Sequence, residues 1–445
     1  MRNTFAAGVV KLPERNRGQN DRSPITQHPS VDTLGKAAEK TLRNQAIQNM
    51  PWRESIKNQH DARKADNLWR SRRVVESPQG RLVDVDGTTY LNFCSNDYLG
   101  LANHPDLSAA AIEATKNRGT GSGASHLVCG HMDQHHRLEN EAAEFVGAEK
   151  AIVFSTGYMA NLAIPQTFLG KDDLLLEDRL NHASLIDAGR YCDASMKRYP
   201  HLDVDTLEEK LAKSSAPRKM VFTDGVFSMD GDTAAVSRLQ SICQQHDAML
   251  VVDDAHGFGV LGANGTGVLE LAGVRPSGNV LMVGTFGKSV GSFGAFVAGD
   301  AVYIESLVQF AQTYIYTTAL PPSVIAATRA AIKIIQTQPQ RRKKLAENVQ
   351  LFRSQVESAG LNLLKSDTPI QPIVLGDSDC ALAASGLLKG NGICVSAIRP
   401  PTVPVGSARL RITLTAEHTD EDIGKLTSIL ASSEMQECLA ARSSQ

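Results

Sequence analysis

Residues 281–299 of this 445-residue chain have the sequence LMVGTFGKSVGSFGAFVAG. Two apolar runs, LMVG and AFVAG, flank a glycine-rich turn that contains one lysine, Lys288. Runs that are apolar at every position are typical of strands buried on both faces of a sheet. A lysine among small apolar residues indicates chemistry, either in a loop that binds phosphate or as an amine that forms a Schiff base with a carbonyl group.

The phosphate-loop alternative can be tested on spacing. The nucleotide-binding pattern G-x-x-x-x-G-K-[ST] needs a glycine five residues before Gly287, and that position is Met282. Gly284 is too close to Gly287 to complete the loop. The Schiff-base interpretation is therefore favoured, and the plain alternative, a lysine on a solvated turn, depends on what the other motifs show.

The composition is that of an ordinary soluble globular protein, with 42% hydrophobic and 21% charged residues and enough length for two domains. A formal net charge of −2 gives no reason to expect a nucleic-acid partner or an anionic membrane. No apolar run approaches the roughly 18 residues of a membrane helix. Seven scattered cysteines without a C-x-x-C pair fit reduced thiols, and hence a cytoplasmic location.

Short β-rich runs alternate with helical patterns from about residue 92 to 316, which predicts an α/β fold whose large, mostly parallel sheet is covered by helices. We predict four segments along the chain. They are an extension, irregular and then helical, at 1–48, a segment leading into the core at 49–105, a large domain at 106–335 and a smaller α+β domain at 336–445.

Polar motifs follow several of the predicted strands, at the sheet edge where ligands bind in such folds. In STGYMAN (155–161) a strand runs into a helix at Gly157, and small residues there let backbone N–H groups approach a phosphate. In VVDDAHGFG (251–259), Asp253 and Asp254 end a buried strand, with His256 just beyond. A carboxylate at such a position can hold a pyridinium nitrogen protonated. An acidic pair can also bind a metal, but no nucleotide loop accompanies this one.

Two further polar motifs also follow predicted strands, at the same edge of the sheet. DRLNHASLIDAGR (178–190) places His182 between a strand and a helix, where its ring could cover a cofactor ring. DGVFSMDGD (224–232) places Ser228 in a polar turn, where it could donate to a phenolate oxygen. A lone histidine is more often structural or solvated, so each motif by itself remains ambiguous.

A histidine-rich stretch, CGHMDQHHRLE at 129–139, raises the question of a metal site. His131 and His135 have the i, i+4 spacing of two ligands on a helix. The zinc-protease pattern requires glutamate directly after the first histidine, and this chain has Met132. We therefore predict no metal site, with His135 and His136 on a helix that leads into Leu138.

With these motifs in this order, the chain resembles the α-oxoamine synthases, which are pyridoxal phosphate (PLP) enzymes of the fold-type I, aminotransferase-like class. The resemblance covers nearly everything from about residue 51 to 431. It is carried by the strings LNFCSNDYLGLANHP, GTGSGASHLVCG, STGYMAN, DRLNHASL, DGVFSMDGD, VVDDAHGFGVLG, TFGKSVGSFGA, IYTTALPP and AIRPPTVPVGSARLRITLTAEHT.

The resemblance implies PLP as the cofactor, with Lys288 as the Schiff-base lysine that also moves the substrate α-proton. It makes Asp253 the partner of the pyridine nitrogen and His182 the residue stacked on the ring, so that these three residues are the predicted catalytic groups. The other implied cofactor contacts are Ser228 and His256 at the phenolic oxygen, Gly157, Tyr158 and Thr285 at the phosphate, and Thr317 or Thr318 at the phosphate of the partner subunit in a homodimer.

The resemblance also implies the substrates, L-alanine and an acyl thioester. Arg399 would clamp the amino-acid carboxylate, a task that suits a bidentate guanidinium. Arg70 would meet the distal carboxylate of a pimeloyl chain, carried by CoA or by a carrier protein, with Thr402 near that chain. Asn96 and His182 complete the predicted substrate contacts.

Three alternatives remain open from the sequence. The chain could be an α-oxoamine synthase with a different amino acid or acyl thioester. The basic stretch around Arg70 could be no more than a solvated face. The chain could also be a non-catalytic homologue that binds a partner through its N-terminal extension.

Overall fold

The computed structural model describes residues 51–66, 68–361 and 363–443. The extension predicted at 1–48, with the helix inside it, lies outside the described residues. The chain divides into two compact units, one ending at Trp69 and the other beginning at Arg70. The boundaries predicted at 105/106 and 335/336 fall within the second unit and stay predictions.

In the first unit, helix α1 spans Trp52–Ala65. The basic stretch around Arg70 lies outside this helix, because the helix ends before Asp66 and Arg70 follows it without regular structure. Aspartate is a poor residue for a helix interior because its side chain competes with the helical hydrogen bonds. The indole ring of Trp69 packs back on the helix, with its centroid 5.1 Å from that of His60.

The described part of the second unit contains strands that belong to three sheets. They are β1 (Leu82–Val85), β2 (Thr88–Asn92), β3 (Lys150–Phe154), β4 (Leu174–Asp178), β5 (Ser195–Tyr199), β6 (Lys219–Asp224), β7 (Ala248–Asp253), β8 (Val280–Thr285), β9 (Ala295–Gly299), β10 (Ile370–Gly376), β11 (Ile393–Cys394), β12 (Ser396–Ile398) and β13 (Ala408–Thr413).

Helices connect and cover these strands, and a short π-helical turn at His126–Gly130 precedes α3. The helices are α2 (Pro105–Arg118), α3 (Asp133–Val146), α4 (Gly157–Phe168), α5 (Ala183–Tyr191), α6 (Val204–Ala212), α7 (Val236–Gln245), α8 (Val268–Leu271), α9 (Ala301–Phe310), α10 (Gln312–Ile315), α11 (Pro322–Thr337), α12 (Gln340–Ser358), α13 (Ser378–Gly390), α14 (Asp420–Leu430) and α15 (Ser433–Ser443). None of the described helices is long and apolar enough to cross a membrane.

The central sheet has seven strands in the order β3-β9-β8-β7-β6-β4-β5. Neighbours from β5 through to β8 are parallel, and β9 runs antiparallel to both β8 and β3. The predicted α/β fold with a mostly parallel sheet is therefore confirmed. Because the carboxyl ends of parallel strands meet at one edge, the residues that end β4, β6, β7 and β8 come together there.

Both faces of this sheet are buried, as the uninterrupted apolar runs predict. In β7, Leu250 and Val252 pack in one apolar cluster, whereas Val251 packs in the other, on the opposite face. Side chains alternate between the faces of a strand, so Asp253 continues on the face of Val251. Helices α4 and α5 cover that same face, through residues such as Ile164.

The other two sheets are small. β10, β13 and β12 form an antiparallel sheet, and β1 pairs with β2, which in turn pairs in parallel with β11. Together with α13 and α14, these strands give the C-terminal part its predicted α+β character. Their importance for the site is that β13 carries two buried arginines, Arg409 and Arg411, towards the turn that follows β6.

An ion-paired histidine fixes two of the strand ends. The ring of His201 lies between two carboxylates, with Nδ1 3.0 Å from Asp178 and Nε2 2.9 Å from Asp232. Burial by itself lowers the pKa of His201, but the two carboxylates outweigh it and raise the pKa to about 10. The imidazolium ties the end of β4 to the turn after β6.

The ion pairs of His201 with Asp178 and Asp232 should make the stability of the fold depend on pH in a defined direction. The ordinary pKa of histidine is about 6.5, so the raised value in the folded state stabilises the protein fully below about pH 6.5, and this stabilisation is lost as the pH rises towards about 10. We expect His201→Gln to lower the melting temperature at pH 6 and to approach wild type near pH 10. His246→Gln, at a histidine 4.0 Å from Glu208, is the control. A His201→Gln deficit that is the same at every pH would contradict the assignment.

Candidate active site

Lys288 lies in the tight turn between β8 and β9. The turn is closed by backbone hydrogen bonds, from Phe286 N–H to Gly294 O and from Gly291 N–H to Lys288 O, each 2.8 Å long. Gly291 has a φ of 67°, and a Cβ at this position would come within 2.4 Å of the backbone nitrogen of Ala102, so glycine is required. The turn directs Lys288 inward, where burial lowers its pKa to about 8.

Two carboxyl groups lie close to this amine. Asp224 ends β6 and Asp253 ends β7, and the two residues stand opposite each other in the parallel register. Burial, and after it the charge of Asp253, raises the pKa of Asp224 well above its ordinary value. Burial therefore favours the neutral form of Asp224. Both carboxyls act on Lys288 in the direction that raises its pKa, against the larger effect of burial.

The two adjacent aspartates of β7 have different environments because they point to opposite faces of the sheet. Oδ2 of Asp253 accepts a 2.6 Å hydrogen bond from Asn161, on α4. Oδ2 of Asp254 instead accepts a 2.6 Å bond from the backbone N–H of Val268. A Cβ on Gly267 would lie 1.8 Å from that oxygen, which shows how tightly Asp254 is enclosed. Asp253 is therefore the carboxylate available to a ligand.

His182 is the N-cap residue of α5, and its ring position is fixed from two sides. Its backbone N–H donates a 2.7 Å hydrogen bond to Asp224 Oδ2. Its Nδ1 accepts from the backbone N–H of Ser184 (3.3 Å) and lies 2.8 Å from the Ser184 hydroxyl. Burial lowers the pKa of His182, so the ring is neutral, and with Nδ1 accepting, the proton resides on Nε2.

A buried histidine, His256, lies beyond Asp253. Its Nδ1 is 2.6 Å from the hydroxyl of Tyr98. Burial, followed by the positive charge of Lys288, lowers the pKa of His256 well below its ordinary value, and burial raises the pKa of Tyr98 to about 12. Both groups are neutral hydrogen-bonding groups at physiological pH.

Arg411, on β13, is not among the residues predicted from the sequence, yet it belongs to this cluster. Only 7% of it is exposed. Its Nε donates to the Ser228 carbonyl oxygen (2.6 Å), and Nη1 donates to Asn96 Oδ1 (3.2 Å). Its charge lowers the pKa values of Lys288 and His256, in addition to the larger effect of burial. The available signal was a cation inside a strand that is otherwise apolar, ARLRIT.

The sequence motifs contain several other residues of the site, but they do not show what those residues contact. Asn161 and Asp224 stand in the motifs STGYMAN and DGVFSMDGD, but nothing in those strings shows that they contact Asp253 and His182. Tyr98 stands in LNFCSNDYLG and His201 lies outside every quoted motif. These contacts depend on which strands are neighbours.

Two residues predicted to meet the acyl substrate come together although 332 positions separate them. Nη2 of Arg70 lies 3.3 Å from the Thr402 hydroxyl, and both side chains are exposed. Arg399 follows β12 and is half-buried, and its role as the carboxylate clamp stays a prediction. Asn96 is joined to Arg411 rather than to the Arg70 pair.

The residues predicted for the phosphate end lie on two strand ends. Gly157 opens α4, whose cap is Thr156, with its hydroxyl 3.2 Å from the Met159 N–H. Tyr158 is partly exposed, and its hydroxyl donates to Asp187, which raises the Tyr158 pKa to about 12. The Thr285 hydroxyl bonds to Gly294 O and so helps to shape the lysine turn.

Thr317 and Thr318 lie between α10 and α11. Thr318 is exposed and forms an isolated antiparallel bridge with Ser125. Its neighbour Tyr316 is 81% exposed. Their predicted contact with a partner subunit stays a prediction.

The donor set at this edge fits PLP. An amine with a lowered pKa can form a Schiff base, a carboxylate beside it can hold a pyridine nitrogen protonated, and a helix N-terminus can bind a phosphate. Lys288, Asp253 and Gly157 provide these three features. His182 adds a neutral ring whose orientation is fixed.

Comparison with known proteins identifies the family. Residues 88–430 match the model of the aminotransferases of class I and II. The chain is 50% identical over 368 residues to the 8-amino-7-oxononanoate synthase of Cellvibrio japonicus, covering 83% of this chain and 92% of that protein. It is 52% identical over 374 residues to the enzyme of the same name from Methylococcus capsulatus, covering 84% and 97%.

Solved structures of similar proteins support the same family. The chain superposes on serine palmitoyltransferase from Sphingomonas wittichii with a TM-score of 0.81 at 31% identity, covering 87% of this chain and 97% of that one. It superposes on 8-amino-7-oxononanoate synthase from Francisella tularensis with a TM-score of 0.69 at 32% identity, covering 78% and 98%. A serine palmitoyltransferase from S. paucimobilis, also at a TM-score of 0.81, has PLP bound. The chain therefore belongs to the 8-amino-7-oxononanoate synthase family, within the PLP-dependent aminotransferases of class I and II.

Proposed function

We propose that this chain catalyses the decarboxylative condensation of L-alanine with a pimeloyl thioester, which gives 8-amino-7-oxononanoate, CO2 and the free thiol, a step of biotin biosynthesis. The observation that carries the proposal is the half-buried Lys288, with its lowered pKa, beside Asp253 and His182, in a chain about 50% identical to enzymes named for this product. PLP, when bound, supplies an electron sink for the negative charge that develops at the alanine Cα.

Lys288 Nζ is the base for the alanine α-proton. A pKa of about 8 leaves a useful fraction of the amine neutral near physiological pH, and the same group can return the proton afterwards. The Asp253 carboxylate is assigned to the pyridine-nitrogen end of the site. His182, with Nδ1 committed to Ser184, presents its ring face and the Nε2 proton to the ligand.

The amino-acid carboxylate needs a cation because the site is buried. We assign Arg411 to this task as the better supported of two arginines, since its charge acts on Lys288 and its guanidinium is held by Ser228 and Asn96. Holding the carboxylate in a fixed position also prepares the later loss of CO2. Arg399 keeps the role implied by the resemblance as the alternative.

The distal carboxylate of the pimeloyl chain is assigned to Arg70. Its contact with Thr402 supports this, because the two residues predicted for the acyl chain form one polar pair at the surface. An exposed arginine suits a ligand that enters from solvent with a charged end. Whether CoA or a carrier protein delivers the chain is left to the substrate assay.

A homodimer with shared active sites and a cytoplasmic location belong to the same proposal. The exposed Thr318 and Tyr316 support the first, because they offer contacts to a second subunit. The seven free cysteines support the second, since they fit a reducing compartment.

Product identification tests the substrates. Incubation with L-alanine or L-serine and pimeloyl, octanoyl or palmitoyl thioesters, followed by mass spectrometry, should give 8-amino-7-oxononanoate as the main product. Arg70→Ala should lower kcat/KM for the pimeloyl thioester about 10- to 100-fold, the value of a lost charged hydrogen bond, and leave the octanoyl thioester unaffected. Arg72→Ala, also exposed, is the matched control. Equal use of pimeloyl and octanoyl chains would reject the assignment, and failure to gain the visible absorbance of lysine-bound PLP would favour the non-catalytic alternative.

The two arginines can be separated by kinetics. Arg411→Gln should raise KM for L-alanine and lower kcat/KM roughly 10- to 100-fold, whereas Arg399→Gln should have the smaller effect on L-alanine. Circular dichroism and PLP absorbance check that the buried substitution still folds. A larger loss in Arg399→Gln would return the clamp to Arg399.

The titration of Lys288 can be followed in the cofactor-free protein. Its amine should titrate near pH 8, and Asp253→Asn should lower that pKa further because a stabilising negative charge is removed. Arg411→Gln should raise it. The measurement is the pH dependence of acylation at Lys288, by mass spectrometry, with Asp205→Asn on the surface as the control. An unchanged pKa in Asp253→Asn would contradict the site geometry.

A further inference from the structure

A second cluster of ionisable side chains lies outside the site just described, where the π-helical turn leads into α3. Nε2 of His131 is 3.8 Å from Oε2 of Glu139. One ligand atom from each of His131, His136 and Glu139 lies within 4.8 Å of the other two. Two imidazoles and one carboxylate are a ligand set that transition metals such as Zn²⁺ accept.

The other nitrogen of His131 is already engaged. Nδ1 of His131 is 2.9 Å from Nδ1 of His126, and the ring of His126 stacks on Tyr314 with centroids 4.6 Å apart. An imidazole held through one nitrogen presents the other to a ligand in a fixed direction, which is the usual arrangement around metal-bound histidines. His131 is thus oriented with Nε2 towards Glu139.

Glu139 is likewise held through one of its two carboxylate oxygens. Its Oε1 accepts a 3.1 Å hydrogen bond from the backbone N–H of Val153, at the centre of β3, so Oε2 remains for a ligand. Only 13% of its side chain is exposed. Nε2 of His131 faces this carboxylate at 3.8 Å. A carboxylate this deeply buried is costly unless it is paired or coordinates a metal.

His136 is the third candidate ligand, and it differs from its neighbour His135. His136 and Glu139 are three residues apart on α3, so both side chains project from one side of the helix. His135 has no nitrogen to spare, because Nδ1 accepts from Met132 N–H (3.0 Å) and Nε2 is 2.8 Å from the Leu320 carbonyl oxygen. These two contacts exclude His135 as a metal ligand, and with it the pair of ligands, His131 and His135, that the sequence spacing suggests.

We propose that His131, His136 and Glu139 bind one Zn²⁺ ion per chain, contrary to the prediction that the chain has no metal site. Ligand atoms about 2.0–2.2 Å from zinc lie roughly 3.3 Å apart, so the three side chains need to close by up to about 1.5 Å. Water takes the fourth position. The ion joins the turn at His131 to α3 and stabilises this part of the fold, without taking part in the reaction at Lys288.

The test is zinc binding by the full-length, tag-free holoenzyme after chelation and dialysis. Calorimetric titration with Zn²⁺ should give one site per chain, and zinc should raise the melting temperature. His136→Ala and Glu139→Gln should each weaken binding at least tenfold and abolish the rise in melting temperature. Cys129→Ser, at an exposed thiol of the same stretch, is the control and should bind as wild type does.

His136 is exposed, so its substitution should leave the fold and the activity intact, which circular dichroism and the condensation assay can check. Binding of equal affinity in wild type and in both variants would place zinc elsewhere, for example on PLP or a thiol, and would overturn the proposal. The absence of a stoichiometric site in the wild-type protein would also overturn it.

Discussion

The burial of a small group of charges at one edge of the parallel sheet is the constraint on which the rest of the structure depends. Asp253 is buried and Lys288 is half-buried, and removal of a charge from water is costly unless opposite charges and hydrogen bonds replace the solvent. Neighbouring side chains offset part of this cost. Asn161 donates to Asp253, and the carboxyls act on Lys288 without restoring its ordinary pKa. The amine consequently remains available as a base near neutral pH.

The strand register decides which charges meet. Asp224 and Asp253 are neighbours because β6 and β7 pair in parallel with their ends aligned. The alternation of side chains along β7 then separates Asp253 from Asp254, so that one carboxylate faces the ligand side and the other is enclosed near Val268. A shift of one residue in this register would exchange the two roles.

The C-terminal part completes the site through β13. Arg409 and Arg411 cross from this strand to the turn after β6, where they contact Asp230 and the Ser228 carbonyl oxygen. Arg411 brings a positive charge close to the Lys288 amine and the His256 ring, and it is the arginine that we propose for the substrate carboxylate. The position of the C-terminal part therefore affects the pKa of Lys288, because β13 carries Arg411.

The sequence by itself determined the α/β class and most strand positions, and it predicted a site around Lys288, Asp253 and His182. These could be predicted because uninterrupted apolar runs and glycine-rich turns are local signals, and because the motifs resemble a known family. Only the tertiary structure brought Arg411 to the amine, joined Arg70 to Thr402 and set His136 beside Glu139. Such pairs depend on which strands and helices are neighbours, and that choice is made by packing of the whole core. Spacing along the chain pointed to His131 with His135, and the hydrogen bonds of His135 to Met132 and Leu320 decided otherwise.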